Sequence, residues 1–375
     1  MRKICYITGA RADYGLMRNV LHLLHSHSDI SLNVIVTGMH LLPEHGNTVD
    51  QICDDGLTVQ SEVPVAMSGD CGANMSVALG EMIVGITKSL ELERPDIVLV
   101  LGDRGEALAG ALVGAHLNIP VVHIHGGERS GTIDESLRHA ISKIAHFHFV
   151  ATEEAHNRLC KMGEHPDNVY LTGAPGLDEI VQIPLQEKEE ICTSYKIDAT
   201  SKFIVLVFHP VVQEQYESGE QMLQILQAVE ELQIQCLVLL PNSDAGGYDI
   251  KKTIEEFRSD FLLVHAHIPR NDFLSLVHHA DAIVGNSSCG IIESASLSTP
   301  CINIGTRQNL RARNANVVDV PCVTPEILKA LRATAELQSK KWGNVYGKGD
   351  SSQKIVGLLS TISLDKSILE KSNVY

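Results

Sequence analysis

Aromatic residues are scarce in this 375-residue chain, at 4%, and no basic run breaks a formal net charge of −16. So few rings argue against the stacking platforms that bind single-stranded nucleic acid. The acidic balance, with a pI near 5.5, argues against nucleic acid and anionic membrane surfaces as partners. A small anion remains admissible, because local arginines and free backbone N–H groups bind it whatever the global sign. Long apolar runs are also missing. No stretch approaches a bilayer span, and the opening MRKICYITGARAD reaches charge too soon for a signal peptide. The nine cysteines, Cys5, Cys53, Cys71, Cys160, Cys192, Cys236, Cys289, Cys301 and Cys322, are odd in number and show no CxxC spacing. They read as reduced thiols of a cytoplasmic protein.

Several motifs are absent. There is no Walker loop and no GxSxG elbow, and the turn after the first strand reads GARADYG rather than GxGxxG. Histidine pairs occur at His123/His125, His146/His148 and His265/His267, the first expected on one face of a strand. Four matched ligands are not recognisable, so no metal is expected.

What is present is a repeated α/β pattern. Ile97 to Leu101 and Val121 to Ile124 are apolar runs flanking an alanine-rich helical pattern, which reads as a βαβ unit. Further strands are expected at Ile4 to Thr8, Leu32 to Thr37, Phe147 to Ala151 and Val169 to Thr172. The second half continues with Phe203 to Phe208, Cys236 to Leu240, Phe261 to Val264, Ala282 to Val284 and Cys301 to Ile304. The length exceeds what one core usually supports, and Gly173-Ala174-Pro175-Gly176 carries boundary residues. The fold class expected is α/β, with two Rossmann-like domains facing across a cleft. Their bounds are 1–180 and 181–350, and a helical segment in 351–375 is free to pack back on the first domain.

In parallel sheets, ligands sit beyond the carboxyl ends of the strands. Asp103, Arg104, His125, Glu128 and Asp134 all fall past such ends. Helix caps and solvated loop charges explain any one of them, but poorly all five. Arg11 follows the first strand, with Asp13 expected as helix N-cap, and His40 follows the second. His209 ends a strand where an imidazolium could donate to a leaving phosphate, and Asn242 could orient a polar group. The run Gly285-Asn286-Ser287-Ser288-Cys289-Gly290-Ile291-Ile292-Glu293 ends a strand and opens a helix. That arrangement favours a phosphate, with Ser287 and Ser288 adding hydrogen bonds and Glu293 placed to accept from ribose hydroxyls. Cys289 reads as packing, yet a thiol there could be alkylated with loss of activity.

Taken in order, Arg11-Ala12-Asp13-Tyr14, Gly38-Met39-His40, Gly102-Asp103-Arg104, His123-Ile-His-Gly-Gly-Glu128, Ser130-Gly-Thr-Ile-Asp134-Glu-Ser-Leu-Arg138-His139, His209-Pro210, Pro241-Asn242, Gly285-Asn-Ser-Ser-Cys-Gly290 and Gly305-Thr-Arg307-Gln308 resemble the hydrolysing UDP-N-acetylglucosamine 2-epimerases of the sialic acid pathway. The resemblance implies a GT-B architecture with a UDP-sugar in the interdomain cleft. It implies loss of UDP from C1 as the C2 proton is removed, then hydration of the 2-acetamidoglucal to free N-acetylmannosamine, with no cofactor. By matching position, the catalytic set is Asp103, His125, Glu128, Asp134, Arg138 and His209, with Asp103 and Asp134 as acid/base carboxylates. The substrate-binding set is Arg11, His40, Arg104, Asn242, Ser287, Ser288, Glu293 and Arg307. Many family members carry glutamate where this chain has His125, so either His125 or Glu128 takes the proton-transfer role. The same reaction on UDP-N,N′-diacetylbacillosamine, as in legionaminic acid synthesis, is the alternative. A GT-B glycosyltransferase and a non-catalytic UDP-sugar binder are weaker ones. A homo-oligomer, dimer or tetramer, is expected.

Overall fold

The computed structural model describes residues 1–42, 47–66, 72–130, 133–242, 244–334 and 340–375. Cys71, Gly131 and Thr132, named above, lie outside the described residues. The first sheet contains β1 (Arg2–Thr8), β2 (Ile30–Thr37), β3 (Val59–Val63), β4 (Ile97–Leu101), β5 (Val121–Ile124), β6 (Phe147–Val150) and β7 (Val169–Leu171). They are parallel throughout, in the order β3-β2-β1-β4-β5-β6-β7. The second sheet contains β8 (Phe203–Val207), β9 (Gln235–Leu239), β10 (Leu262–His265), β11 (Ala282–Gly285), β12 (Cys301–Ile304) and β13 (Val317–Val320). Its order, β10-β9-β8-β11-β12-β13, repeats the winding of the first. The two Rossmann-like sheets are those expected from the sequence.

Helices cover both faces of each sheet, so central strands such as IVLVL in β4 and FIVLV in β8 are buried at every position. The expected strands were legible for that reason. Two strands escaped the sequence reading, β3 (VQSEV) and β13 (VVDV). Both are sheet edges, partly exposed, and their polar residues hide the apolar signal. The order reverses between β1 and β4 and again between β8 and β11, which opens a crevice at the carboxyl ends of each sheet. At the second reversal Gly285 adopts φ +125, and a Cβ there would stand 2.1 Å from the Val207 carbonyl oxygen, so the close approach of the two strand ends requires glycine.

Two local expectations are corrected. The N-cap of the helix Arg11–His25 is Ala10, not Asp13. Asp13 sits inside the first turn and its carboxylate reaches back to the N–H groups of Gly9 and Ala10, both at 3.1 Å, and to the Thr8 hydroxyl at 2.7 Å. Asp134 does not follow a strand end directly. It lies in the first turn of the helix Ile133–Ile144.

The C-terminal helix Ser351–Thr361 packs on the first sheet's side. Ile355, Val356 and Leu359 share a core with Tyr14, Met17, Val20 and Leu21 of the helix Arg11–His25. Complete burial of Ile355 and Leu359 contributes about 1.5–3 kcal/mol each. The Asp178 carboxylate accepts the N–H groups of Ser351 and Ser352, and Arg2 donates to the carbonyls of Leu359 and Ile362. The described cysteines are all free thiols, and among the described residues no helix is long and apolar enough to cross a membrane.

Candidate active site

Each strand end on the facing edges of the two sheets delivers a polar side chain. After β1, the Asp13 network locks the turn that presents Arg11. The Arg11 Nε is buried without a hydrogen-bond partner, and burial lowers its basicity. It makes no ion pair among the described residues, so it is a cation in need of an anion. His40 is not brought to the cleft. It is 0% exposed and its two ring nitrogens lie 2.9 Å from the Thr8 hydroxyl and 2.5 Å from that of Thr48. Burial holds it near 4, hence neutral. In place of the substrate contact expected, the structure makes His40 a prop beneath the Arg11 turn.

After β4, Asp103 forms an ion pair with Arg138, whose side chain is 1% exposed. Arg138 also donates to the Glu128 carbonyl at 3.0 Å. One guanidinium thereby ties the loop after β4 to the loop after β5, and its role is to hold carboxylate and loop rather than to stand free. Arg104 bridges Glu106 at 3.0 Å and, from the second half, Asp244 at 3.5 Å. Those carboxylates keep Arg104 fully charged despite burial.

After β5, His125 takes φ +63, left-handed backbone that a histidine adopts at a cost of about 1 kcal/mol. This breaks the strand alternation, so His123 and His125 do not share a face as expected. His123 lies within hydrogen-bond distance of Ser142 and the Gly102 carbonyl, whereas the His125 Nδ1 lies 2.6 Å from Glu128 Oε1. Glu128 is 4% exposed, and its second oxygen lies 3.0 Å from the Arg311 guanidinium of the second half. Burial alone would raise its carboxyl; Arg311 and His125 outweigh that and hold it below the ordinary carboxylate range. Glu128 Oε1 is thus hydrogen-bonded to His125, while Oε2 meets Arg311 as an ion pair without a hydrogen bond.

On the facing side, Asn286 stitches the loops after β8 and β11. It accepts the His209 N–H at 2.7 Å and donates to the His209 carbonyl at 2.8 Å. The His209 Nδ1 accepts the Asn242 N–H at 3.2 Å, which leaves the proton on Nε2. Burial, helped by Arg307, pushes this ring down to about 3. In this structure burial thus favours a neutral ring over the imidazolium expected, and that ring still donates through Nε2–H. Asn242 donates to Asp244 at 2.7 Å.

Ser287 is the N-cap of the helix Ser288–Ile292 and makes no cap bond with its side chain. Five residues carry little macrodipole, so what this end offers an anion is its unpaired N–H groups and two hydroxyls. Cys289 donates to the Ser287 hydroxyl at 3.1 Å, and burial pushes its thiol up to about 12. Glu293 closes the helix at its C-cap, 4% exposed, and pairs with Arg270 at 2.7 Å. Arg307 donates to the Asn286 carbonyl at 3.2 Å and reaches within 3.8 Å of Asp134 across the cleft.

Three ion pairs, Arg104 with Asp244, Arg307 with Asp134 and Arg311 with Glu128, join the loops at the strand ends of the two sheets, and His40 takes no part in them. Asp244, Arg270, Asn286 and Arg311 were missed. The run Arg307, Arg311, Arg313 after β12 was the readable signal for the last, since three cations following a strand end in an acidic chain ask for partners. Among the described residues no cluster of three or more His, Cys, Asp or Glu side chains is arranged to hold a metal.

The family model described as UDP-N-acetylglucosamine 2-epimerase matches residues 22–360. The UDP-N,N′-diacetylbacillosamine 2-epimerase (hydrolyzing) of Legionella pneumophila is 45% identical over 100% of both chains. The UDP-N-acetylglucosamine 2-epimerase of Neisseria meningitidis is 34% identical over 94% of this chain and 92% of its own. In fold, the crystal structure of the Methanocaldococcus jannaschii UDP-GlcNAc 2-epimerase in complex with UDP-GlcNAc and UDP superimposes with a TM-score of 0.80 at 22% identity, covering 96% of this chain and 99% of that one. The chain has the GT-B-like fold of those structures and belongs to the UDP-N-acetylglucosamine 2-epimerase family.

Proposed function

We propose that the enzyme is a hydrolysing 2-epimerase whose substrate is UDP-N,N′-diacetylbacillosamine, taking up water and releasing UDP and the free 2-epimerised sugar. The observation that carries the substrate is the end-to-end 45% identity with the Legionella enzyme of that name, against 34% for the Neisseria enzyme named for UDP-N-acetylglucosamine. This preference replaces UDP-N-acetylglucosamine, the first choice on motifs alone, which stays as the second reading.

The chemistry rests on the placement of charge. A C2 proton is acidic only if C1–O cleavage runs ahead and builds positive charge on the ring, so holding the departing diphosphate is the larger task. Arg11, Arg104, Arg307, the His209 Nε2–H, the Ser287 and Ser288 hydroxyls and the N–H groups that follow them are the diphosphate set, and Glu293 takes the ribose. Each preorganised donor supplies roughly 10²-fold in rate. Asp103, Asp134 and His125 face them from the first half as the proton-transfer groups, each worth about 10² to 10⁴-fold. Glu128, hydrogen-bonded to His125 and ion-paired with Arg311, is assigned to orienting His125 and not to moving the proton itself. The C2 proton leaves as UDP departs, giving the glucal. Water then adds its hydroxyl at C1 and a proton returns to C2 from the opposite face. No electrons change hands, so no redox cofactor is required.

The test is turnover in deuterated water with each UDP-sugar. Free 2-epimerised sugar carrying deuterium at C2, formed faster from the diacetamido substrate, is expected. Faster turnover of UDP-N-acetylglucosamine would move the substrate assignment to the second reading, and an absolute need for an acceptor would abandon the hydrolytic one. The setting we infer is cytoplasmic, which the free thiols support.

A further inference from the structure

We propose that Arg311 is a positioning residue that makes the orientation of His125 depend on contact between the two halves of the molecule. This rests on the functional reading above. Arg311 belongs to the segment after β12, in the second half, and its side chain is 8% exposed. It meets Glu128 Oε2 at 3.0 Å while Glu128 Oε1 holds the His125 Nδ1 at 2.6 Å. Three residues from two sheets thus form one line of contact: guanidinium, carboxylate, imidazole.

The chemistry of that line is directional. A carboxylate only accepts hydrogen bonds, so Glu128 requires the proton on His125 Nδ1 and leaves Nε2 with a bare lone pair in the neutral ring. That is the tautomer a general base needs. The backbone around the ring is held independently: the His125 N–H bonds the Phe149 carbonyl at 3.0 Å and Arg138 bonds the Glu128 carbonyl at 3.0 Å. The first half offers the Glu128 carboxylate only the imidazoles of His125 and His123 as opposing charge, and a buried carboxylate short of counter-charge protonates or turns away. Arg311 supplies it from across the cleft.

Among the described residues, arginine pairs also join the loops at the strand ends of the two sheets at Arg104 with Asp244, 3.5 Å, and Arg307 with Asp134, 3.8 Å. Both are longer, and both arginines belong to the diphosphate set. Arg311 makes the shortest of the three contacts and has the most buried guanidinium. Its partner is the residue behind the imidazole, not one facing the sugar. Separation of the halves would break the Arg311 contact first at His125's support, so proton transfer would be enabled only with the cleft shut. Such gating keeps an activated base away from bulk water.

The experiment compares full-length wild type with R311A, R311K, E128Q and the double variant R311A/E128Q. It reads kcat and KM for deuterium-incorporating turnover, UDP affinity by titration calorimetry, and melting temperature. R311A should lose about 10²-fold in kcat while UDP affinity stays within about threefold. R311K should recover about tenfold of that loss, since an ammonium restores the charge but reaches the single Glu128 oxygen less well than the longer guanidinium does. The double variant should turn over no more slowly than E128Q alone, because the two residues act in series. R311A with wild-type kcat, a kcat loss matched by an equal loss of UDP affinity, or additive losses in the double variant would each overturn the proposal. Wild-type protein that makes no free sugar from either UDP-sugar defeats the functional reading and the relay with it. A turning-over wild type beside an equally active R311A defeats the relay alone.

Discussion

Arg307 and Asp134 face each other across the cleft, guanidinium to carboxylate at 3.8 Å, one from each sheet. The same arginine donates to the Asn286 carbonyl beside the Ser287 loop. It therefore spans the places assigned to the diphosphate and to a proton-transfer carboxylate. Arg307→Ala should weaken UDP binding by about tenfold, or about 1.4 kcal/mol, and Arg307→Lys should keep part of that. Calorimetric titration with UDP decides it, and unchanged affinity in the alanine variant would remove Arg307 from the diphosphate set.

His209 is expected to enter the reaction neutral. Its ring is held down to about 3 and its Nδ1 is occupied by the Asn242 N–H. His209→Ala should lose about 10²-fold in kcat with a smaller change in KM. In the wild type, no kinetic step assignable to this ring should fall between pH 5 and 8. A kcat limb near pH 6.5 that vanishes in the variant would contradict the neutral assignment.

Acid should unfold this protein through its buried imidazoles. Burial lowers His123 to about 3 and, with Lys371 adding to it, His146 to about 4. Below the ordinary value of 6.5 the unfolded chain binds protons that the folded one refuses, so stability falls as pH drops. The contribution is complete above pH 6.5 and lost progressively down to about 3–4, on the order of 3 kcal/mol for His123 by pH 4. Melting temperature should fall steadily over that window in wild type and less steeply in His123→Gln. Equal slopes would show that His123 titrates alike in both states.

Thiol reactivity should avoid the serine loop. Cys289 is pushed up to about 12 by burial and by Glu293, whereas Cys53 is exposed. Iodoacetamide at pH 7.5 should label Cys53 and spare Cys289, with activity retained, as read by peptide mass mapping. Early labelling of Cys289 would mean that the loop opens readily. This reverses the vulnerability expected from the sequence, where the thiol's position beside two serines was visible but its burial was not.

Much of the architecture could be read from the chain because parallel sheets with both faces covered write themselves as unbroken apolar runs, as in IVLVL and FIVLV. The edges β3 and β13 could not, since half-exposed strands tolerate Gln, Ser, Glu and Asp. Among the site residues, strand-end position identified Asp103, His125 and Ser287 as candidates because the period of the strand is local information. Pairings such as Arg311 with Glu128 and Arg270 with Glu293 join residues 183 and 23 positions apart and depend on how sheets and loops meet, which no local pattern encodes. His40 failed for a related reason: a histidine past a strand end looks the same whether a threonine pair or a ligand satisfies it.

The clasp between Arg2 and the helix Ser351–Thr361 has a consequence for synthesis. Arg2 bonds carbonyls at Leu359 and Ile362, and the first core needs Ile355 and Leu359 to be complete. Until residues 351–362 have left the ribosome, the helix Arg11–His25 carries an uncovered apolar face. The part translated earlier thus waits on the part translated later, and truncation before residue 351 would damage the first sheet's core.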